Sequence, residues 1–160
     1  MRKLYQTLII LYKKEQNEIL YAIFYRTSHP IWQFISGGGE GGESIFETVI
    51  REIGEETSIN INKEDIIELD SKSSIPVVNI TGDYTWGKDV YVVPEYTFAV
   101  NVKDLDIKLS DEHKEFKWVR YEEAMEKLNY DSNKTALWEL NERLKRKNNT
   151  LKFTSYGRPY

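Results

Sequence analysis

A chain of 160 residues is one domain's worth of material, enough to bury about two-thirds of its unfolded surface in a single core. Hydrophobic residues at 40% and aromatics at 13% exclude intrinsic disorder for most of it, and the absence of cysteine excludes a disulfide scaffold, a thiolate metal site and a cysteine nucleophile. A net charge of −4 argues against a partner held by broad attraction to polyanions, so neither nucleic acid nor a membrane face is expected, while a small phosphorylated ligand accompanied by metal ions remains compatible.

Met1-Arg2-Lys3 and the apolar run behind it have the outline of a secretory leader, but Gln6 and Thr7 interrupt the run and no small-residue cleavage site follows. The segment reads as a first strand, no apolar run is long enough to cross a bilayer, and the expected compartment is the cytoplasm. Residues 4–12 and 18–26 are β-rich runs joined by the polar KKEQN, a hairpin with a five-residue connection. A short extended run, WQFIS at 32–36, stops at Gly37-Gly38-Gly39. Ser44 with Glu47 three residues on is a capping box that opens a helix, whose Phe46, Val49, Ile50 and Ile53 share one arc and are expected to be its buried face. Ser58 and Asn60 close it. Residues 64–80 and 88–103 read as strands flanking turns at Gly82-Asp83 and Gly87-Lys88-Asp89, and FKWV at 116–119 as another. Helical stretches follow at about 121–128 and 133–146, and the residues from 148 to 160 read as a loose or partner-docked tail. Strands, helix, strands, helices make an α/β or α+β fold with a mixed sheet between helices, and one domain over 1–147.

The segment GGGEGGESIFETVIREIGEETSI, residues 37–59, carries the chemistry. It holds Glu40, Glu43, Glu47, Glu52, Glu55 and Glu56 and a single cation, Arg51. Glu52, Glu55 and Glu56 stand at i, i+3 and i+4 on one helix face, where like charges repel unless neutralised. Carboxylate oxygens with no soft ligand nearby suit Mg²⁺, for which Mn²⁺ can substitute. Arg51 lies one turn from both Glu47 and Glu55 and within reach of Glu43, placing it to orient the acids. Gly37, Gly38, Gly39, Gly41 and Gly42 let the backbone adopt left-handed angles and approach a ligand closely. By itself the segment also fits a solvated acidic helix after a flexible turn.

The spacing G-x5-E-x7-R-E-U-x-E-E-x-G-U (U aliphatic) fits Gly37, Glu43, Arg51, Glu52, Ile53, Glu55, Glu56 and Ile59, and in this the chain resembles the Nudix hydrolases. Ser58 stands where that signature has glycine, which puts the local turn in doubt and nothing else. The flanks FYRTSHPIWQFIS and SDEHKEFKWV are similar to the branch containing dATP pyrophosphohydrolase and dihydroneopterin triphosphate pyrophosphatase. The resemblance implies a Nudix fold and hydrolysis of a nucleoside diphosphate linked to another group, here a nucleoside or pterin triphosphate giving pyrophosphate and the monophosphate. It implies that Glu52 and Glu56 hold the metals, with Glu55 and Glu112 as further ligands or proton acceptors, either of which is the base.

Outside the box, His113 reads as a partner of the acids and His29 as a turn residue. Arg26, Ser36, Gly37, Gly38 and Asn133 are candidate substrate contacts, although Arg26 also fits a surface cation and Asn133 a helix cap. Trp32, or else Trp86, fits either a core position or a stacking partner for a base or pterin ring. Trp118 and Trp138 read as core. A dinucleoside polyphosphate hydrolase and a binding module that has lost catalysis are the competing functions, and the chain is expected to be a monomer or homodimer.

Overall fold

The computed structural model describes residues 2–80 and 85–148, so the Gly82-Asp83 turn and the expected tail beyond residue 148 lie outside the described residues. The strands are β1 (Arg2–Glu15), β2 (Glu18–Arg26), β3 (Trp32–Gln33), β4 (Ile35–Glu40), β5 (Ile66–Pro76), β6 (Val92–Asn101) and β7 (His113–Val119). The helices are α1 (Ile45–Thr57), α2 (Tyr121–Lys127) and α3 (Asp131–Asn148). All the strands join one mixed sheet, in which β1 is the spine. It pairs in parallel with β6 on one side, and on the other it changes partner: Tyr12 to Glu15 pair with β2, whereas Arg2 to Ile9 pair with β4. β4 and β7, which pairs with β2, therefore lie on the same side of β1 as parts of different ladders.

Alternation along β1 sends side chains to two cores. Leu8, Ile10 and Tyr12 meet Ala136, Leu137 and Leu140 of α3, while Ile9 and Leu11 meet Val49 and Ile53 of α1. Each fully buried Leu or Ile contributes about 1.5–3 kcal/mol relative to exposure. The sheet is thus covered on both faces, a layered sandwich of the kind the element order implies.

Several details differ from the sequence reading. The β1–β2 connection is two residues, Gln16 (φ 51°) and Asn17 (φ 66°), because paired left-handed residues match strand twist and let Lys13, Lys14 and Glu15 continue the ladder. Gly37, Gly38 and Gly39 belong to β4 rather than to a turn, and within the 37–42 run only Gly41 (φ 54°) is left-handed. Smallness is what the first three positions require: a Cβ at Gly37 would overlap the Glu52 carboxyl, at Gly38 the Arg2 guanidinium, and at Gly39 the Tyr5 ring. The buried face of α1 is Thr48, Val49, Glu52, Ile53, Glu56 and Thr57, so two acids join Val49 and Ile53 there while Phe46 and Ile50 are half-buried. Trp138 is half exposed rather than core, and Trp118 is half-buried beneath Lys13.

Candidate active site

The capping box fixes where α1 begins. Ser44 Oγ accepts from Glu47 N at 3.2 Å, and Glu47 Oε1 accepts from Ser44 N at 3.0 Å. From that start Arg51, Glu52, Glu55 and Glu56 come round the helix toward the β4 edge. Arg51 is held by four groups: Nε donates to Glu43 Oε2 at 2.6 Å, Nη1 to Glu52 at 3.0 Å and to Glu55 at 3.2 Å, and Nη2 to the Gly38 carbonyl at 2.8 Å. Glu43 in turn accepts from Glu40 N and the Thr48 hydroxyl. The guanidinium holds Glu43 down to about 2, well below the usual carboxylate range, and Arg51 itself is raised.

Glu52 behaves oppositely. Burial pushes its carboxyl up to about 7, with Glu55 and Glu56 adding to the rise and Arg51 opposing it. Glu56 is buried deeper and accepts from the Ser110 hydroxyl at 2.7 Å, with His113 Nδ1 at 3.0 Å from the same oxygen. Burial alone would raise it, yet these bonds hold it below its ordinary value. His113 is itself buried against Phe24 and orients the acid.

Glu112 arrives from the other side of the site. The loop before β7 is stitched to the end of α1 by Ser110 N to Glu56 O at 3.2 Å, and to the residue just past β2 by Thr27 N to Glu112 O at 2.9 Å. Partial burial first, and then the charge of Glu56, raise the Glu112 carboxyl.

A cleft of about 300 Å³ opens over these groups. Glu52, Glu55, Glu112, Arg51, Gly37 and Gly38 line it, as do the candidate contacts Arg26, Ser36 and Asn133. Glu56 is buried and does not border the cleft. Trp32 is not part of the lining; it packs edge-on against Tyr25 with Lys117 over its ring, because β3 pairing turns it toward β2. Trp86 donates from Nε1 to the Arg2 carbonyl and is likewise outside the lining. Gln6, Gln33, Glu95, Tyr130 and Ser132 also border the cleft and were not singled out by sequence. Glu95 did carry a signal: Val93, Glu95, Thr97 and Ala99 alternate along β6, so a carboxylate sits on a strand face that is otherwise buried.

The acids offer only hard oxygen donors, and three of them, Glu52, Glu55 and Glu56, stand on one helix turn with Glu55 and Glu56 each adding to the rise of Glu52, a donor set that fits a small divalent cation. Among the described residues no three carboxylate or imidazole groups converge as a ready cage. Glu52 and Glu55 are engaged by Arg51 instead, and Glu56 by Ser110 and His113.

A layered mixed sheet thus carries an arginine-clamped, acid-bearing helix over a cleft. The NUDIX domain model matches residues 3–139, and the chain belongs to the NUDIX family. It is a Nudix hydrolase by fold and by the composition of the helix. A NUDIX protein of known structure from Listeria monocytogenes is 41% identical with a TM-score of 0.78, covering 95% of this chain and 100% of that one. The dihydroneopterin triphosphate diphosphatase of Haemophilus influenzae is 27% identical over 132 residues, 81% of this chain and 82% of that protein. The E. coli dihydroneopterin triphosphate pyrophosphohydrolase structure shares the fold, with a TM-score of 0.70 at 20% identity over 88% of this chain and 97% of that one. Among the described residues no helix is long and apolar enough to cross a membrane.

Proposed function

We propose that this Nudix hydrolase is a Mg²⁺-dependent pyrophosphohydrolase that cleaves a nucleoside or pterin triphosphate into pyrophosphate and the monophosphate, with Mn²⁺ able to replace Mg²⁺. One observation carries the reading: Glu52, Glu55 and Glu112 border the same cleft while Arg51 and His113 fix the acids around them. The name of the Haemophilus influenzae relative supports the substrate class.

In this reading Glu52 and Glu56, with Glu55 and Glu112, would hold the cation, which when bound neutralises the diphosphate charge. Arg51 keeps Glu52 and Glu55 side by side and ties the helix to β4 through the Gly38 carbonyl. Arg26 and Ser36 meet the anionic part of the substrate. Glu112 is the better proton acceptor of the two candidates: its affinity for a proton is raised, whereas Glu55 is paired with a guanidinium. A water beside Glu112 loses its proton to that carboxylate and attacks phosphorus opposite the leaving oxygen.

The test is a Mg²⁺-supplemented panel of nucleoside triphosphates, dihydroneopterin triphosphate and dinucleoside polyphosphates, with pyrophosphate and phosphate assayed separately. Pyrophosphate release that falls by about a hundredfold in Glu52→Gln and Glu56→Gln is expected. Asymmetric cleavage of a dinucleotide alone would favour a dinucleoside polyphosphate hydrolase, and no turnover on the panel a binding module. Activity within twofold of wild type in Glu112→Gln would remove that residue from proton transfer.

A further inference from the structure

The cleft has a second polar feature that the hydrolytic chemistry does not use. Glu95 is 4% exposed, borders the cleft, and its Oε1 has no hydrogen-bond partner among the described residues. A buried carboxylate oxygen without a donor is costly, and such groups persist where a ligand completes them. Its surroundings are organised to leave that oxygen as an acceptor. Phe34 N donates to Asn133 Oδ1 at 2.9 Å, which fixes the amide so that Nδ2 donates to Ser132 Oγ at 3.3 Å. Ser132 in turn counters the rise that burial imposes on the Glu95 carboxyl. Glu95 Oε1 is left without a donor beside this fixed pair.

Position suits a role away from the phosphates. Gln6 of β1 pairs with Gly38 on one side and with Glu95 on the other. Two strand spacings separate Glu95 from Gly38, about 10 Å. Leu8, Ile75, Ile80 and Tyr130 also line the cleft and give it apolar and aromatic wall, which suits a planar ring.

We propose that Glu95 is the residue that reads the substrate's heterocycle, its carboxylate accepting two neighbouring N–H groups and so selecting a 2-amino-4-oxo ring edge, as in guanine or a pterin, over an edge that sets a donor beside an acceptor, as in adenine. This rests on the nucleoside or pterin triphosphate reading above and narrows it. A carboxylate presents two acceptors side by side, so an adenine edge would set a ring lone pair against one of them, whereas an amide N–H next to an exocyclic amine satisfies both. Burial pushes Glu95 up to about 7, which the Ser132 bond only partly counters, so two ligand donors also stabilise the charged form.

The test is equilibrium binding of deoxynucleoside monophosphates by calorimetry without added metal, so that it does not depend on turnover. Wild type is expected to bind dGMP about tenfold or more tightly than dAMP, with dIMP, which lacks the 2-amino group, between them. In Glu95→Gln, whose amide offers one donor and one acceptor, that preference collapses or inverts, with an unchanged far-ultraviolet spectrum. Equal affinities in wild type, no measurable binding of any of the three, or an unaltered ratio in the variant would overturn the proposal. Should the variant not fold, the wild-type series decides alone. Retained dGMP preference in a protein that hydrolyses nothing on the panel would sink the hydrolytic reading and leave this one standing.

Discussion

Ser58 shows how one residue is asked to do another's work. It caps α1 at φ 62° and ψ 17°, with its N–H on the Gly54 carbonyl at 2.9 Å, the left-handed geometry that glycine adopts without a steric cost. The turn that sequence put in doubt thus forms anyway, at some strain. Ser58→Gly removes the Cβ clash and adds unfolded-state entropy, a net stabilisation of about 0.5–1 kcal/mol. A melting temperature higher by roughly 1–4 °C is expected. Scanning calorimetry is the check, and a lower value would mean that the serine side chain makes a compensating bond. The capping box, the i, i+3, i+4 acids and the Arg51–Glu43 spacing were readable because all of them are local. That Glu56 is held low despite its burial was not readable, since that depends on Ser110 and His113, more than fifty residues along the chain.

At the scale of elements, the glycines of β4 matter for what they omit. Gly37 is filled by the Glu52 carboxyl, so strand and helix approach each other only where no side chain intervenes. Gly37→Ala forces Glu52 aside while leaving both core clusters untouched. Because misplacement by about 1 Å can cost about a hundredfold in rate, a drop of that order in kcat is expected with little change in melting temperature. A variant that loses stability and activity together would point to a structural role for the glycine instead. The sequence announced this run as a turn, since composition alone does not separate glycine that bends from glycine that makes room. The hairpin was legible as a hairpin, but not its length: the charged Lys13, Lys14 and Glu15 look like loop and are ladder residues at an exposed strand end.

For the whole molecule, layers and element order followed from periodicity, whereas the partner change along β1 did not, because register between distant strands leaves no local trace. Glu95 belongs to this non-local class: it becomes part of the cleft only when β6 lies beside β1 and α3 covers that face. Its burial also has a thermodynamic signature. The folded value of about 7 lies above the ordinary 4.5, so the stability associated with the neutral form is fully present below about 4.5 and is lost as pH rises through 7. Glu95→Gln, neutral throughout, is therefore expected to gain melting temperature relative to wild type across that window, by about 2 °C or more between pH 4.5 and 7.5. Parallel curves for the two proteins would mean that Glu95 keeps an ordinary affinity for protons.

The spine strand has one more implication. Residues 6–9 of β1 are laced to β4 on one flank and to β6 on the other, so the floor of the cleft cannot loosen without two ladders parting together. Each round of ligand arrival and departure is accordingly met by side chains and loop residues mounted above a bed held from both flanks. Wear and adaptation would then concentrate in the furnishings of the site while its foundation stays fixed.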